Sequence, residues 1–291
     1  MQLRAHAPAK INLFLDVGPA MPDGYHPVCS VMQTVSLYDT VTIEKMPAGI
    51  TLRCFDAALP CDEKNLAYRA AQAFFRESGI EDTGISITLE KNIPVASGLA
   101  GGSADAGAVL LLLHRLFGCP ISMETLLHIG GSLGADVPFC MTGGTALCSG
   151  RGEVITPLQP MEPMNVVIAR DGADVSTPVA YHMLDTAYDK RLPAKQERWK
   201  ALHVQDWEDM QSAMFNIFES VILPGHKEAF TCKTILREAG ARIAMMSGSG
   251  PAVFGIFDGE NSARDAVAAL QAAGAKAFLC KTCGGPQILS I

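Results

Sequence analysis

No apolar run in the 291-residue chain is long enough to cross a bilayer: the longest, Ala106 to Leu113, falls well short of the ~20 residues a spanning helix needs. The opening MQLRAHAPAKINLFLDV carries charges at Arg4, Lys10 and Asp16 and has no extended apolar stretch, so it does not read as an export signal. Clustered lysine and arginine are missing too. With a formal net charge of -7 and no basic stripe, the chain is expected to bind neither nucleic acid nor membrane. Nine cysteines without an export signal read as reduced thiols, which points to a cytoplasmic protein. Cys280-Lys-Thr-Cys283 is the lone C-x-x-C, and no second pair or spaced histidines follow to complete a zinc site, so it reads as two ordinary thiols. Also absent are the G-x-x-x-x-G-K-[ST] phosphate loop and the G-x-G-x-x-G dinucleotide fingerprint.

A hydrophobic content of 48% in a chain this long supports a substantial core and suggests two domains. Alternating residues in Ala9 to Val17, Val41 to Glu44, Ile50 to Cys54 and Ile85 to Leu89 predict strands. Helices are expected over Asn65 to Ser78, Ala104 to Phe117 and Met123 to Leu133, the last capped by Ser122. Pro157, Pro160 and Pro163 mark a boundary, which places the domains at 1–156 and 157–291. Beyond it the pattern predicts a strand at Asn165 to Ala169, a short helix at Val179 to Leu184 and a polar connection at Arg191 to Gln205. Helices over Asp206 to Val221, Glu228 to Ala239 and Ser262 to Ala273 and a strand at Val253 to Phe257 complete the second half. The fold class is α+β.

Pro94-Val-Ala-Ser-Gly-Leu-Ala-Gly-Gly-Ser-Ala104 leads from a strand into a helix through small residues. Gly98, Gly101 and Gly102 let the backbone approach a ligand, and the helix that follows aims unpaired amides at it, a geometry suited to a triphosphate. A tight strand-to-helix turn with no ligand fits the same residues.

Pro94, Gly98, Leu99, Gly101, Gly102, Ser103 and Ala104 resemble the phosphate loop of the galactokinase, homoserine kinase and mevalonate kinase superfamily. Pro8-Ala-Lys-Ile-Asn-Leu-Phe-Leu15 and Met246-Ser-Gly-Ser-Gly-Pro-Ala-Val-Phe254 fit the same family in the same order. Asp23-Gly-Tyr-His26, Asp62-Glu-Lys-Asn65, Gly134-Ala-Asp-Val-Pro138 and Ser176-Thr-Pro178 look like its diphosphocytidyl-methylerythritol kinase branch. The loop departs from the glycine-richest members at Ala96, Ser97 and Ala100, where a right-handed or extended backbone would accept alanine but a left-handed one would not do so comfortably.

The resemblance implies a two-domain kinase, monomer or weak homodimer, that uses ATP and Mg²⁺ to phosphorylate the 2-hydroxyl of a diphosphocytidyl-methylerythritol. Asp136 would accept the hydroxyl proton or orient the hydroxyl, where on its own it reads as a turn or cap residue. Lys10, in a strand that should be half buried, wants an anionic partner unless it is an exposed edge lysine, and by the resemblance it would lie beside Asp136. ATP would be held by Asn65, Lys91, Pro94, Gly98, Leu99, Ala100, Gly101, Gly102 and Ser103, with Ser103 either an N-cap or a hydroxyl ligand to Mg²⁺. Tyr25, His26 and Tyr181 would hold the cytosine, and Asn12 and Thr177 the methylerythritol. Ser247 to Gly250 would steady the phosphate loop. Asp105 has no assigned role.

Overall fold

The structure is a computed structural model that describes residues 2–55, 59–81, 83–187, 198–203 and 207–289. In the first half, β1 (Gln2–Val17), β2 (Val28–Met46), β3 (Gly49–Cys54), α1 (Leu66–Ser78), β4 (Gly84–Glu90), α2 (Gly101–Leu116), α3 (Met123–Leu133), α4 (Val137–Thr142), β5 (Thr145–Ser149) and β6 (Val154–Pro157) follow one another. The second half runs β7 (Asn165–Arg170), α5 (Thr177–Thr186), α6 (Trp207–Ala213), β8 (Phe215–Asn216), α7 (Glu219–Ile222), α8 (Lys227–Glu238), β9 (Ile243–Met246), β10 (Val253–Phe257), α9 (Glu260–Ala272), β11 (Lys276–Lys281) and β12 (Gln287–Leu289). No helix among the described residues is long and apolar enough to cross a membrane.

Eight described strands form one sheet whose central path is β12-β1-β2-β4-β3, and four form an antiparallel sheet ordered β11-β7-β10-β9. Residues 287–289 return to pair with Arg4 to His6, so this late strand is built into the first sheet. Against that sheet lies α2, buried almost all round from Ala104 to Leu113, as expected of a helix apolar on every side. Burying each of its leucines contributes roughly 1.5–3 kcal/mol, and this fixes the helix whose first turn reaches the site.

Local chemistry sets the helix ends. Asn65 accepts the Ala67 amide and caps α1, and Gly79 closes it in the left-handed conformation at φ 64°. Ser122 accepts the Thr125 amide and caps α3 as the sequence predicts.

Several expectations change. The first strand begins at Gln2, well before Ala9, and β2 extends far beyond Val41 to Glu44. Its added residues include Ser30, Gln33 and Thr34, buried through hydrogen bonds and therefore invisible to apolar alternation. The second long helix begins at Gly101, three residues before Ala104, because Ala104 N donates to Ala100 O at 2.9 Å. Ser103 therefore lies inside the first turn and is not the N-cap. The helix expected over Asp206 to Val221 is broken into α6, β8 and α7, since Phe215 and Asn216 pair with Phe14 and Leu15 of β1. Its first residue, Asp206, and most of the connection at Arg191 to Gln205 lie outside the described residues. The last helix starts at Glu260 rather than Ser262.

Candidate active site

Lys10 and Asn12 project from the centre of β1, on a stretch bounded by register shifts at Pro8/Ala9 and Asn12/Phe14. Such irregularities re-aim side chains out of the regular pleat. Lys10 Nζ donates to Asn12 Oδ1 at 2.7 Å, Asn12 Nδ2 donates to Ser30 Oγ at 2.8 Å, and Ser30 Oγ passes a bond to Phe14 O at 2.8 Å. The ammonium is thus fixed in direction. Its side chain is 5% exposed and lies 3.9 Å from Asp136 Oδ2, whose own side chain is 33% exposed. Asp136 sits where α3 gives way to α4, with Val137 N donating to Gly134 O at 3.0 Å and Cys140 N to Asp136 O at 3.0 Å. That turn leaves its carboxylate open to the cleft.

The loop between β4 and α2 is held by backbone. Lys10 N donates to Leu99 O at 3.1 Å, Ala252 N to Ser97 O at 3.2 Å, and Ser97 Oγ to Pro94 O at 2.6 Å. Gly98 adopts φ +80°, and a Cβ there would come within 2.2 Å of Ser247 O, so only glycine fits without rearrangement. Ser247 Oγ donates to Gly98 O at 3.0 Å and approaches Asn12 Oδ1 at 3.5 Å. Ala96 and Ala100 are left-handed, with φ 49° and 58°, contrary to the expectation that alanine would avoid such a backbone. The close fit of the loop against Lys10 and residues 247–252 holds that geometry, which costs an L-residue about 1–2 kcal/mol. No side chain caps the first turn of α2, so the N-terminal end of its dipole meets the cleft with its first amides uncapped.

Behind this loop lies a buried charge cluster. Lys91 Nζ contacts Asp39 Oδ2 and lies 2.5 Å from Asp105 Oδ2. Asp39 Oδ1 also accepts the amides of Asn92 at 2.6 Å and Ile93 at 2.9 Å, whereas Asp105 Oδ1 has no partner. Burial, opposed by Lys91 and reinforced by Asp39, pushes the Asp105 carboxyl up to about 7. Burial pulls the Lys91 ammonium down, but Asp105 and Asp39 more than reverse this and its pKa lies above the ordinary value. Asp39 carries no motif in the sequence. Its partner Lys91 is 52 residues away, so local pattern has no means of finding the pair.

Two clefts adjoin, and Asp136 lines the first of them. The first, of about 600 Å³, is lined by Lys10, Asn12, Asn65, Lys91, Pro94, Ala96 to Gly98 and Ala100 to Ser103, and by Asp105 and Asp136. A second, of about 1200 Å³, is lined by Tyr25, His26, Glu153, Tyr181, His182 and Asp185 among others. Ala135, Arg151, Thr177 and Tyr181 line both. Of the expected nucleotide residues, Leu99 alone is not on the first cleft's wall: it is buried in the core and contributes its carbonyl to Lys10.

In the second cleft the His26 ring is buried, its Nδ1 donates to Gly18 O at 3.0 Å, and its Nε2 faces Asp185 Oδ2 at 3.4 Å. Tyr181 packs between His26 and Phe218, with ring centroids 5.0 and 5.1 Å away. Burial and the nearby Asp136 carboxylate push its phenol up to about 12, so the hydroxyl remains a donor at neutral pH. Tyr25 is 52% exposed, with the Arg151 guanidinium 3.7 Å above its ring and Arg151 in turn 2.9 Å from Asp23. Arg151 had no signal in the sequence beyond lying in the Gly150 to Gly152 turn. Thr177 Oγ1 lies 3.2 Å from Ser249 Oγ at the junction. Cys280 is far from any such convergence: it is buried in β11, where burial pushes its thiol up to about 12 and Sγ donates to Val166 O.

The geometry suits a phosphorylated nucleotide. The first amides of α2 are uncapped, Gly98 seats the loop closely against Ser247, and Ser103, Lys10 and Asp136 line the same cleft. Among the described residues no three His, Cys, Asp or Glu side chains converge, so a Mg²⁺ here would take most of its oxygens from phosphates and water, as this ion commonly does.

Residues 65–144 match the model of the GHMP kinases N terminal domain and 200–276 that of the GHMP kinases C terminal domain. A 4-diphosphocytidyl-2-C-methyl-D-erythritol kinase of Clostridium botulinum is 43% identical over 258 residues, covering 89% of this chain and 91% of that protein. The enzyme of the same name from Caldicellulosiruptor saccharolyticus is 40% identical over 97% of both chains. A crystal structure of 4-(cytidine 5'-diphospho)-2C-methyl-D-erythritol kinase superposes with a TM-score of 0.82 at 33% identity, covering 97% of this chain and 100% of that one. At such identity over nearly its whole length, this chain belongs to the GHMP kinases and, within them, to the 4-diphosphocytidyl-2-C-methyl-D-erythritol kinase family.

Proposed function

We propose that the chain transfers the γ-phosphoryl group of ATP to the 2-hydroxyl of 4-diphosphocytidyl-2-C-methyl-D-erythritol, a step of the non-mevalonate route to isoprenoid precursors. The observation that carries this reading is a cleft that holds Lys10 and Asp136 against glycine backbone and shares Ala135, Arg151, Thr177 and Tyr181 with a neighbouring cleft walled by Tyr25 and His26. A donor and an acceptor can be bound separately and still react at one point.

Asn65, Lys91, Pro94, Gly98 and Ala100 to Ser103 are the residues that would hold ATP, with Ser103 Oγ offered to Mg²⁺. Bound there, ATP would supply the phosphoryl group and Mg²⁺ would neutralise phosphate charge. Asp136 takes the proton of the 2-hydroxyl as that oxygen becomes the nucleophile; the O–H electron pair goes to the new O–P bond while the bond from the γ-phosphorus to the bridging oxygen breaks and its pair leaves with ADP. Lys10, aimed by Asn12, stands beside the carboxylate and offsets charge on the transferring group. The cytosine lies between Tyr25 and Tyr181 with its edge on His26, Asn12 and Thr177 orient the methylerythritol, and Arg151, common to both clefts, faces the diphosphate between them.

Turnover of ATP measured with the diphosphocytidyl substrate beside homoserine, mevalonate and galactose tests this. The expected result is strong preference for the first; equal or greater turnover of any other would overturn the substrate.

A further inference from the structure

Asn216 lines neither cleft, yet it touches the supports of both. It is 3% exposed, and pairing of Leu15 with Asn216 plus the Ile217 N to Leu15 O bond of 3.0 Å pins its backbone to the strand that carries Lys10. Its Nδ2 donates to Met246 O at 2.8 Å and to Gly248 O at 2.9 Å, while its Oδ1 accepts the Phe218 amide at 3.0 Å. Two donors and an acceptor on one short planar group are the property of an asparagine amide.

Each bond leads to the site. Gly248 packs so tightly that a Cβ on it would lie 3.0 Å from Gly98 O and 3.4 Å from Lys10 Nζ. Its neighbour Ser247 bonds Gly98 O and reaches Asn12, the residue that aims Lys10. On the other side, Phe218 stands edge-on to Tyr181. Glu219 adds a second hold, accepting the Met246 amide at 2.8 Å and Lys233 Nζ at 2.7 Å.

We propose that Asn216 is a positioning residue for phosphoryl transfer, which locks the Ser247 to Gly250 loop and the Phe218–Tyr181 wall to β1 so that Lys10 and the bound substrate share one frame. The inference rests on the function proposed above for its kinetic readout and stands independently of it for its structural one. Asn216→Asp is the informative change, because it preserves shape and the acceptor for Phe218 but turns a lone pair towards one or both carbonyls.

Steady-state kinetics and hydrogen exchange are to be measured on the full chain as wild type, Asn216→Asp and Leu236→Ala, the last a core change in α8 away from both clefts. Misplacement of catalytic groups predicts a fall in kcat for Asn216→Asp on the order of 10- to 100-fold with KM for ATP moved by less than about threefold. Exchange should quicken in both 246–250 and 97–102. Leu236→Ala should lower the melting temperature yet hold kcat within about twofold below it. A folded Asn216→Asp with wild-type kcat and exchange overturns the inference, as does an equal kcat loss in Leu236→Ala. Should wild type fail to turn over the diphosphocytidyl substrate, the function reading falls, and exchange at 97–102 in Asn216→Asp decides the positioning role: faster supports it, unchanged overturns it. If Asn216→Asp does not fold, Asn216→Ser, which keeps one donor, is read in the same way.

Discussion

Around the Pro94 to Gly102 loop the contacts run largely through backbone atoms, whereas around Tyr25 and His26 they run largely through side chains. The loop is held by Lys10 N on Leu99 O, Ala252 N on Ser97 O and the close seat of Gly98 against Ser247. The other cleft is walled by two tyrosines, three histidines, Arg151 and two carboxylates, among other side chains. A backbone cradle is insensitive to which small residue occupies several of its positions, provided that the chain can take the path. Ala96 and Ala100 illustrate this, since both accept left-handed angles that glycine would adopt without strain. Side-chain walls have the opposite property: their chemistry changes with each substitution while the backbone need not move. Phosphate binding, which all ATP users share, is assigned to the first, and selectivity to the second.

On that division the largest effect comes from the reacting groups themselves, for which neither material substitutes. Asp136→Asn keeps shape and loses charge, so turnover at saturating ligands should fall by ~10²- to 10⁴-fold with melting and ligand binding nearly intact. A folded variant that retains about a tenth of the wild-type rate or more removes Asp136 from the chemistry.

The next effect separates the clefts. Gly98→Ala puts a Cβ 2.2 Å from Ser247 O on a backbone at φ +80°, so ATP affinity should drop by about tenfold or more from strain of ~1–2 kcal/mol plus the clash. Cytidine diphosphate should bind as to wild type. Calorimetry with both ligands checks this, and equal weakening of the two would erase the proposed division.

Tyr25→Ala is the mirror experiment and should be milder, because Tyr25 is half exposed and already covered by Arg151. Stacking on a base is worth ~1–3 kcal/mol, and the lower end of that range predicts a loss of about fivefold in cytidine diphosphate affinity with ATP unchanged. Unaltered cytidine diphosphate binding would place the base elsewhere.

What the sequence made legible follows the same line between local and distant causes. The third helix was legible to the residue because Ser122 caps it through a bond three residues away. Gly98 was legible because its φ of +80° and its seat against Ser247 O require glycine. The break of the 206–221 helix was not, since its cause is the pairing of Phe215 and Asn216 with Phe14 and Leu15, about 200 residues earlier in the chain. Most of β2 was hidden because Gln33 and Thr34 are buried on hydrogen bonds to Cys283 O, about 250 residues away. Lys10 and Asp136 were singled out by resemblance to a family; alternation placed Lys10 on a half-buried strand in want of an anionic partner or at an exposed edge, and nothing local pairs the two.

The smallest expected effect lies behind the cradle, in the cluster of Asp39, Lys91 and Asp105, and it appears in stability against pH. A carboxyl that titrates near 3.8 in the unfolded chain and at about 7 in the folded one keeps a proton on folding that the unfolded chain releases between those values. The group's contribution is therefore fully present below pH 3.8, and it is lost as pH rises through about 7, above which both states are ionised. Lys91 opposes but does not cancel this, because its ammonium serves two carboxylates and Asp105 Oδ1 has no donor of its own. An amide in place of the carboxyl has no proton to lose. Asp105→Asn should thus flatten the decline of melting temperature between about pH 5 and about pH 8, gaining on wild type towards the alkaline end. Melting curves at matched ionic strength measure it. Parallel profiles for the two proteins would mean that Asp105 enters the folded state ionised, with the cluster held as a charge pair rather than by a shared proton.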